Sequence, residues 1–311
     1  MKIWIRTTTA VTFAAFAALL VFNLPNSAYG QPPAGAKGKG GGFAQDPRAQ
    51  TRTYRFEDTN EDLPYSVYVS SKVKKDQKAP LIVTLHGLGA PQTIMMGAAA
   101  IDLAEEGGYV LVAPMGYNTS GWYGSPAFAP GAGKGNGKGA PDGAKGAPAT
   151  KGPGGDAAKA KGGFGGGNQP ENLRELSEKD TMNVIAMVRK EFNIDDKRMY
   201  IMGHSMGGAG ALFLGSKYAN MFAAVGAEAP AAFWQTRKET LQPMKDAGVP
   251  VMIVHGDIDE VVNVSNSHGW VDAMKDLNMQ YEYVEQPGIT HGPVIQSGLK
   301  PIYEFFAKHK K

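Results

Sequence analysis

The stretch from Met199 to Leu212, Met-Tyr-Ile-Met-Gly-His-Ser-Met-Gly-Gly-Ala-Gly-Ala-Leu, constrains this chain more than any other. An apolar run of strand character ends at Gly203, Ser205 follows, and a run of small residues suited to a helix begins at once. Only a tight turn joins a strand to a helix over so few residues. Such a turn strains its central residue, tolerates only small neighbours, and leaves the central hydroxyl at the edge of the sheet with the next N–H beside it. With 41 glycines in 311 residues, about 0.2 Gly-x-Ser-x-Gly matches arise by chance, so the flanking pattern carries the inference.

That pattern continues on both sides. Uncharged apolar runs at 81–85, 109–113, 199–202, 223–227 and 251–255 read as strands buried on both faces, with 281–284 as the last strand. Helical stretches separate most of them, which predicts an α/β fold with a mainly parallel sheet and helices on both faces. Residues 54–56 and 65–69 read as an opening antiparallel pair. The clearest helix spans about 171–192, with Thr181, Val184, Ile185, Val188 and Phe192 on one apolar face and Lys179, Asp180 and Arg189 elsewhere. A closing helix is expected around 294–308.

In such sheets functional groups gather at the carboxyl ends of the strands, where loops and helix N-termini converge. Ser205 follows one strand, Asp257 and Asp259 follow another, and His291 lies in Pro287-Gly288-Ile289-Thr290-His291-Gly292-Pro293 after the last. A serine hydroxyl attacks at neutral pH only if an imidazole takes its proton and a carboxylate orients that imidazole. The expected catalytic residues are therefore Ser205, His291 and Asp259. Asp259 is preferred to Asp257 because Val261-Val262 behind it resumes an apolar contact that anchors the loop, whereas Asp257 is expected to cap it. His86 and His204 read as structural. The backbone N–H groups of Met206, after the serine, and Leu88, in Leu85-His86-Gly87-Leu88-Gly89, are the candidate oxyanion donors. Trp122, Tyr123 and Trp234 are expected to reach the same edge and line an apolar acyl or aryl pocket. No metal or cofactor site is expected, since no ligand spacing and no phosphate loop is seen.

Two segments differ in kind. Residues 1–30 carry Lys2 and Arg6, an apolar stretch at 10–22, and Ala28-Tyr29-Gly30, the pattern of an export signal cut near Gly30. The apolar stretch falls short of the ~20 residues a membrane span needs. A periplasmic or secreted location follows, with 31–50 as a flexible tether and 51–311 as the folded domain. Within that domain an insert at about 125–167 is dominated by Gly, Ala, Pro and Lys and has too little apolar surface to order itself. Residues 127–167 hold six lysines against Asp142 and Asp156, a net +4 that exceeds the +3 of the whole chain. The net charge therefore gives little reason to expect nucleic-acid binding by the folded part, while the insert suits an anionic surface. The absence of cysteine excludes disulfides, a thiol nucleophile and thiolate metal sites.

The combination of Leu85-His86-Gly87-Leu88-Gly89, Gly203-His204-Ser205-Met206-Gly207-Gly208, His255-Gly256 with Asp259 and Val262, and Thr290-His291-Gly292 resembles the secreted esterase branch of the α/β-hydrolase superfamily. Within it lie the polyhydroxybutyrate-depolymerase and feruloyl-esterase-like proteins, near dienelactone hydrolases and prolyl-oligopeptidase catalytic domains. The resemblance covers about 53–308 and implies hydrolysis of a small or polymeric carboxylic ester through an acyl-enzyme, without a cofactor. Two departures bear on the substrate: the Gly- and Lys-rich insert, and the missing cysteines that many secreted feruloyl esterases carry. The competing expectations are a prolyl-oligopeptidase-type peptidase, which brings a large extra domain for which this chain has no room, and a polyanion- or envelope-binding protein on a hydrolase scaffold.

Overall fold

Charge-free apolar runs become strands buried along their whole length: β3 (Ala79–Leu85), β4 (Val110–Pro114) and β7 (Val251–Gly256); β6 (Ala224–Glu228) is equally buried although it ends on a carboxyl side chain. The structure, a computed structural model, describes residues 44–126 and 169–311. The expected signal segment, most of the tether and the body of the insert lie outside the described residues.

β1 (Gln50–Phe56) and β2 (Glu61–Val69) form the expected antiparallel pair, longer than the sequence pattern suggested, and β2 pairs antiparallel with β4. The remaining neighbours are parallel, completed by β5 (Ile194–His204) and β8 (Tyr281–Gln286), in the order β1-β2-β4-β3-β5-β6-β7-β8. From β3 the chain first steps outward to β4 and then back to β5 on the other side. The loops after β3 and β5 thus diverge at a topological switch point, where open α/β sheets form their crevice.

Alternate residues of each strand feed two cores. Val83, Leu85, Ile201, Val225 and Ile253 face Val184, Leu212, Leu241 and Trp270, which come from α2 (Leu173–Glu191), α3 (Met206–Lys217), α4 (Arg237–Asp246) and α5 (Ser265–Asp276). On the other face Ile82, Tyr200, Met202, Met252 and Val254 meet Ile101 of α1 (Ala98–Gly107), Ile295 of α6 (Val294–Ser297), and Ile302, Phe305 and Phe306 of α7 (Leu299–Ala307). Among the described residues no helix is long and apolar enough to cross a membrane.

Three expectations need correction. The closing helix is two helices, broken at Gly298, whose missing side chain makes room for Glu228: a Cβ there would sit 2.6 Å from Glu228 Oε1. Asp180, assigned to the polar face of α2, is fully buried, because it accepts hydrogen bonds from Tyr54 Oη (2.5 Å) and from the Tyr117 N–H (2.9 Å). The last residues of the expected tether are tied down: Asp46 N–H bonds Met96 O at 2.8 Å, and Arg48 bridges Asp46 and Asp102.

Candidate active site

Ser205 has φ 56° and ψ −115°, a conformation that L-residues adopt only under constraint. The constraint is the junction of β5 and α3. A Cβ on Gly203 would lie 2.4 Å from the backbone of Gly207, and one on Gly207 would lie 2.1 Å from Leu85 O. Both positions must be glycine for the helix to start directly over the sheet. The turn is pinned by Ser205 N–H to Glu228 O (2.9 Å) and by the N–H groups of Ala209 and Ala231, both 3.0 Å from Ser205 O. Among the described residues the Ser205 hydroxyl makes no hydrogen bond, which is common for such groups before a substrate tightens the site.

His291 lies in the loop after β8, and its Nδ1 is 2.7 Å from Asp259 Oδ2. A carboxylate only accepts, so Nδ1 carries hydrogen and Nε2 is left free to take a proton. Asp259 is held from four sides: its Oδ1 accepts the N–H groups of Val261 and Val262, both at 2.8 Å, and its Oδ2 also accepts from His255 Nε2 at 3.0 Å. Burial opposes its charge, but the hydrogen bonds from His255 and His291 win and hold the carboxyl well below the usual carboxylate range. Asp257 points elsewhere, accepting Gly288 N–H at 2.7 Å and so tying the β7 loop to the β8 loop.

His204 braces this arrangement. Burial, then the neighbouring His291, push its imidazole down to about 3, so the ring is neutral. Its Nε2–H donates to His291 O at 2.9 Å, and the two rings lie 4.6 Å apart. His86 is buried between the carbonyls of Gly87 and Met115. At the candidate oxyanion positions, no backbone carbonyl among the described residues takes the N–H of Leu88 or Met206.

The expected aromatic pocket divides. Tyr123 is fully buried, with its hydroxyl on His86 O and its N–H on Ser177 Oγ, and is therefore part of the core rather than a substrate contact. A ring packed edge-on against His86 at 5.5 Å supports the loop from below. Trp234 is half-buried, tied to Thr240 Oγ1 at 3.0 Å and packed edge-on against Trp270. Trp122 is half-buried at the first position of a short 3-10 turn. Large aliphatic side chains are exposed at Leu88, Ile258 and Val261 (36, 56 and 62%), all on the loops after β3 and β7. A hollow of about 690 Å³, lined by Arg189, Met199, Tyr218 and Ala247 among others, opens at the opposite edge of the sheet and has no part in this site. Among the described residues no group of three or more His, Asp or Glu could hold a metal ion.

Sequence reasoning missed the role of two buried residues. His255, four residues before Asp259, stands in the motif that carries the resemblance, but nothing in the sequence pointed to its contact with Asp259. Glu228 ends β6 and is wholly buried, with neither carboxyl oxygen hydrogen-bonded among the described residues, and burial raises its pKa well above the ordinary value. Its alternation with apolar Ala224 and Gly226 on the same face was the available signal.

Comparison with known proteins matches residues 164–292 to the family model described as putative esterase. A bifunctional acetylxylan esterase/xylanase of Neocallimastix patriciarum is 34% identical over 102 residues, which is 32% of this chain and 14% of that protein. A cutinase of Thermobifida alba is 37% identical over 73 residues, 24% of this chain and 22% of the cutinase. The chain thus spans well under half the length of these relatives. The solved ferulic acid esterase of Anaeromyces mucronatus superposes with a TM-score of 0.56 at 18% identity, over 84% of this chain and 90% of that one. By its sheet order, its strained Ser205 turn and the superposition, the chain has the fold of this solved esterase, and over residues 164–292 it is similar to the esterase family model.

Proposed function

We propose that this protein is an exported serine hydrolase that cleaves carboxylic esters through an acyl-enzyme. The observation that carries this reading is the Asp259–His291 hydrogen bond at the same sheet edge as the strained Ser205. Ser205 Oγ attacks the acyl carbon while His291 Nε2 takes its proton. Asp259, accepting from Nδ1, keeps that tautomer and stabilises the imidazolium. The N–H groups of Leu88 and Met206 receive the oxyanion. His291 then gives its proton to the departing alkoxide, the alcohol leaves, and a water activated by the same imidazole releases the acid and restores Ser205.

The exposed trio of Leu88, Ile258 and Val261 favours esters with an apolar acyl or alcohol part, since such side chains stay in water unless something covers them. Trp122 and Trp234 are the aromatic candidates for the walls. Export rests on residues 1–30, and the Lys-rich insert is assigned to contact with an anionic surface.

The test is p-nitrophenyl acetate hydrolysis together with fluorophosphonate labelling. Ser205→Ala is expected to lose at least ~10³-fold in kcat and all labelling while keeping its fold. A variant that retains more than about a tenth of the wild-type rate removes the assignment.

A further inference from the structure

His255 sits one residue before the end of β7 with its side chain wholly out of water. Its Nδ1 is 2.6 Å from Ser267 Oγ on α5, and its Nε2 is 3.0 Å from Asp259 Oδ2 and 2.9 Å from Val262 O. A carbonyl oxygen only accepts, so Nε2 carries hydrogen and shares it between Val262 and Asp259. Two imidazoles therefore converge on one carboxylate oxygen, His291 at 2.7 Å from the active edge and His255 from within the core. Without His255, Oδ2 would have His291 as its one side-chain donor among the described residues, and the two backbone N–H groups on Oδ1 would be left to limit rotation of the carboxyl.

We infer that His255 is a positioning residue for the Ser205, His291 and Asp259 machinery: its Nε2–H fixes Asp259 Oδ2 and takes up part of the carboxylate's charge before His291 meets it. The inference rests on reading those three residues as the triad. It has two separable consequences. A looser Asp259 lets the His291 ring wander, which costs turnover rather than substrate binding. A less compensated Asp259 also favours the doubly protonated form of His291, so the acid limb of the rate profile moves to higher pH.

Other charged and titratable groups facing this cluster are few. His204, from the end of β5, is neutral and bonds the carbonyl of His291. Glu285, from β8, feels His255 but is exposed and held by His268 at 2.6 Å and Tyr283 at 2.7 Å. Asp257 is engaged with Gly288 N–H.

The experiment measures kcat and KM on p-nitrophenyl acetate from pH 5 to 9 for the full chain and for His255→Leu and His255→Gln. The leucine variant is expected to lose ~10- to 100-fold in kcat with KM within about threefold, and to show an acid limb moved to higher pH. Gln Nε2 reaches close to where the imidazole Nε2–H stood, so the glutamine variant is expected to recover most of the rate and the wild-type limb. An unshifted limb in the leucine variant, or equal losses in both variants, overturns the inference. If the leucine variant does not unfold cooperatively, Ser267→Ala replaces it. Loss of the partner on Nδ1 weakens the Nε2–H as a donor, so the limb should move the same way by less, and an unmoved limb overturns the inference. Fluorophosphonate labelling of the wild type separates the two failures. An unlabelled wild type sinks the triad reading and this inference with it, whereas a labelled wild type with coincident profiles sinks the role of His255 alone.

Discussion

Asp257 and Asp259 stand two residues apart on one loop, yet one braces a turn and the other meets an imidazole. Asp259→Asn is expected to lower kcat by ~10³–10⁴-fold, because an amide can donate to His291 and select the wrong tautomer. Asp257→Asn keeps an oxygen for Gly288 N–H and should retain more than about a third of the activity. Steady-state kinetics on the two variants checks this, and a crippled Asp257 variant would exchange their roles. Glu228 poses the opposite case, a buried carboxyl with no hydrogen-bond partner among the described residues, whose pKa burial raises. Its folded pKa lies above its unfolded one, so from about pH 4.5 upward the unfolded chain releases a proton that the folded chain keeps. Stability at this residue is therefore lost as pH rises. Glu228→Gln is expected to melt near wild type at pH 4.5 and higher than wild type at pH 7 to 8, with roughly 2–4 °C for each kcal/mol recovered. An advantage that does not grow with pH would contradict it.

At the scale of elements, the β5–α3 junction is where local pattern and tertiary contact agree. The glycines of the pentapeptide were legible as a tight turn, and the structure supplies the reason, the backbone of Leu85 on β3 lying where a Cβ on Gly207 would go. Gly207→Ala must push β3 and α3 apart and is expected to destabilise by about 1–3 kcal/mol or more. A lower urea midpoint at unchanged slope would show it. Helix α2 shows the converse. Its apolar stripe was readable from spacing, but Asp180 was misplaced, because the groups it satisfies come from Tyr54 and Tyr117, far away in sequence.

At the scale of the whole molecule, the Lys-rich insert interrupts a domain whose two flanks are already joined. Asn118 Nδ2 bonds Gln169 Oε1 at 2.9 Å, and Tyr123 N–H bonds Ser177 Oγ at 2.9 Å, so the chain is anchored on both sides of residues 127–168. Removing 127–167 is expected to shift Tm by less than about 3 °C and to leave p-nitrophenyl acetate hydrolysis nearly unchanged. With a net +4 removed, binding to anionic vesicles should weaken and lose its salt dependence. Calorimetry and cosedimentation at two ionic strengths test both halves. A large fall in Tm would show that the insert contributes to the core.

The sequence by itself determined what depends on near neighbours: strands from uncharged apolar runs, the tight turn at Ser205 from its glycines, and the order of serine, acid and histidine at strand ends. These follow from backbone sterics and side-chain periodicity, which act over a few residues. Only the tertiary structure decided that Tyr123 turns into the core, that Asp180 is buried against Tyr54 and Tyr117, and that His255 and Glu228 are buried beside the site. The groups that decide these cases come from distant parts of the chain, such as Tyr54 and Tyr117 for Asp180 and Ser177 for Tyr123. A buried polar side chain is explained by the groups that surround it, and in this fold those groups meet only when the sheet is assembled.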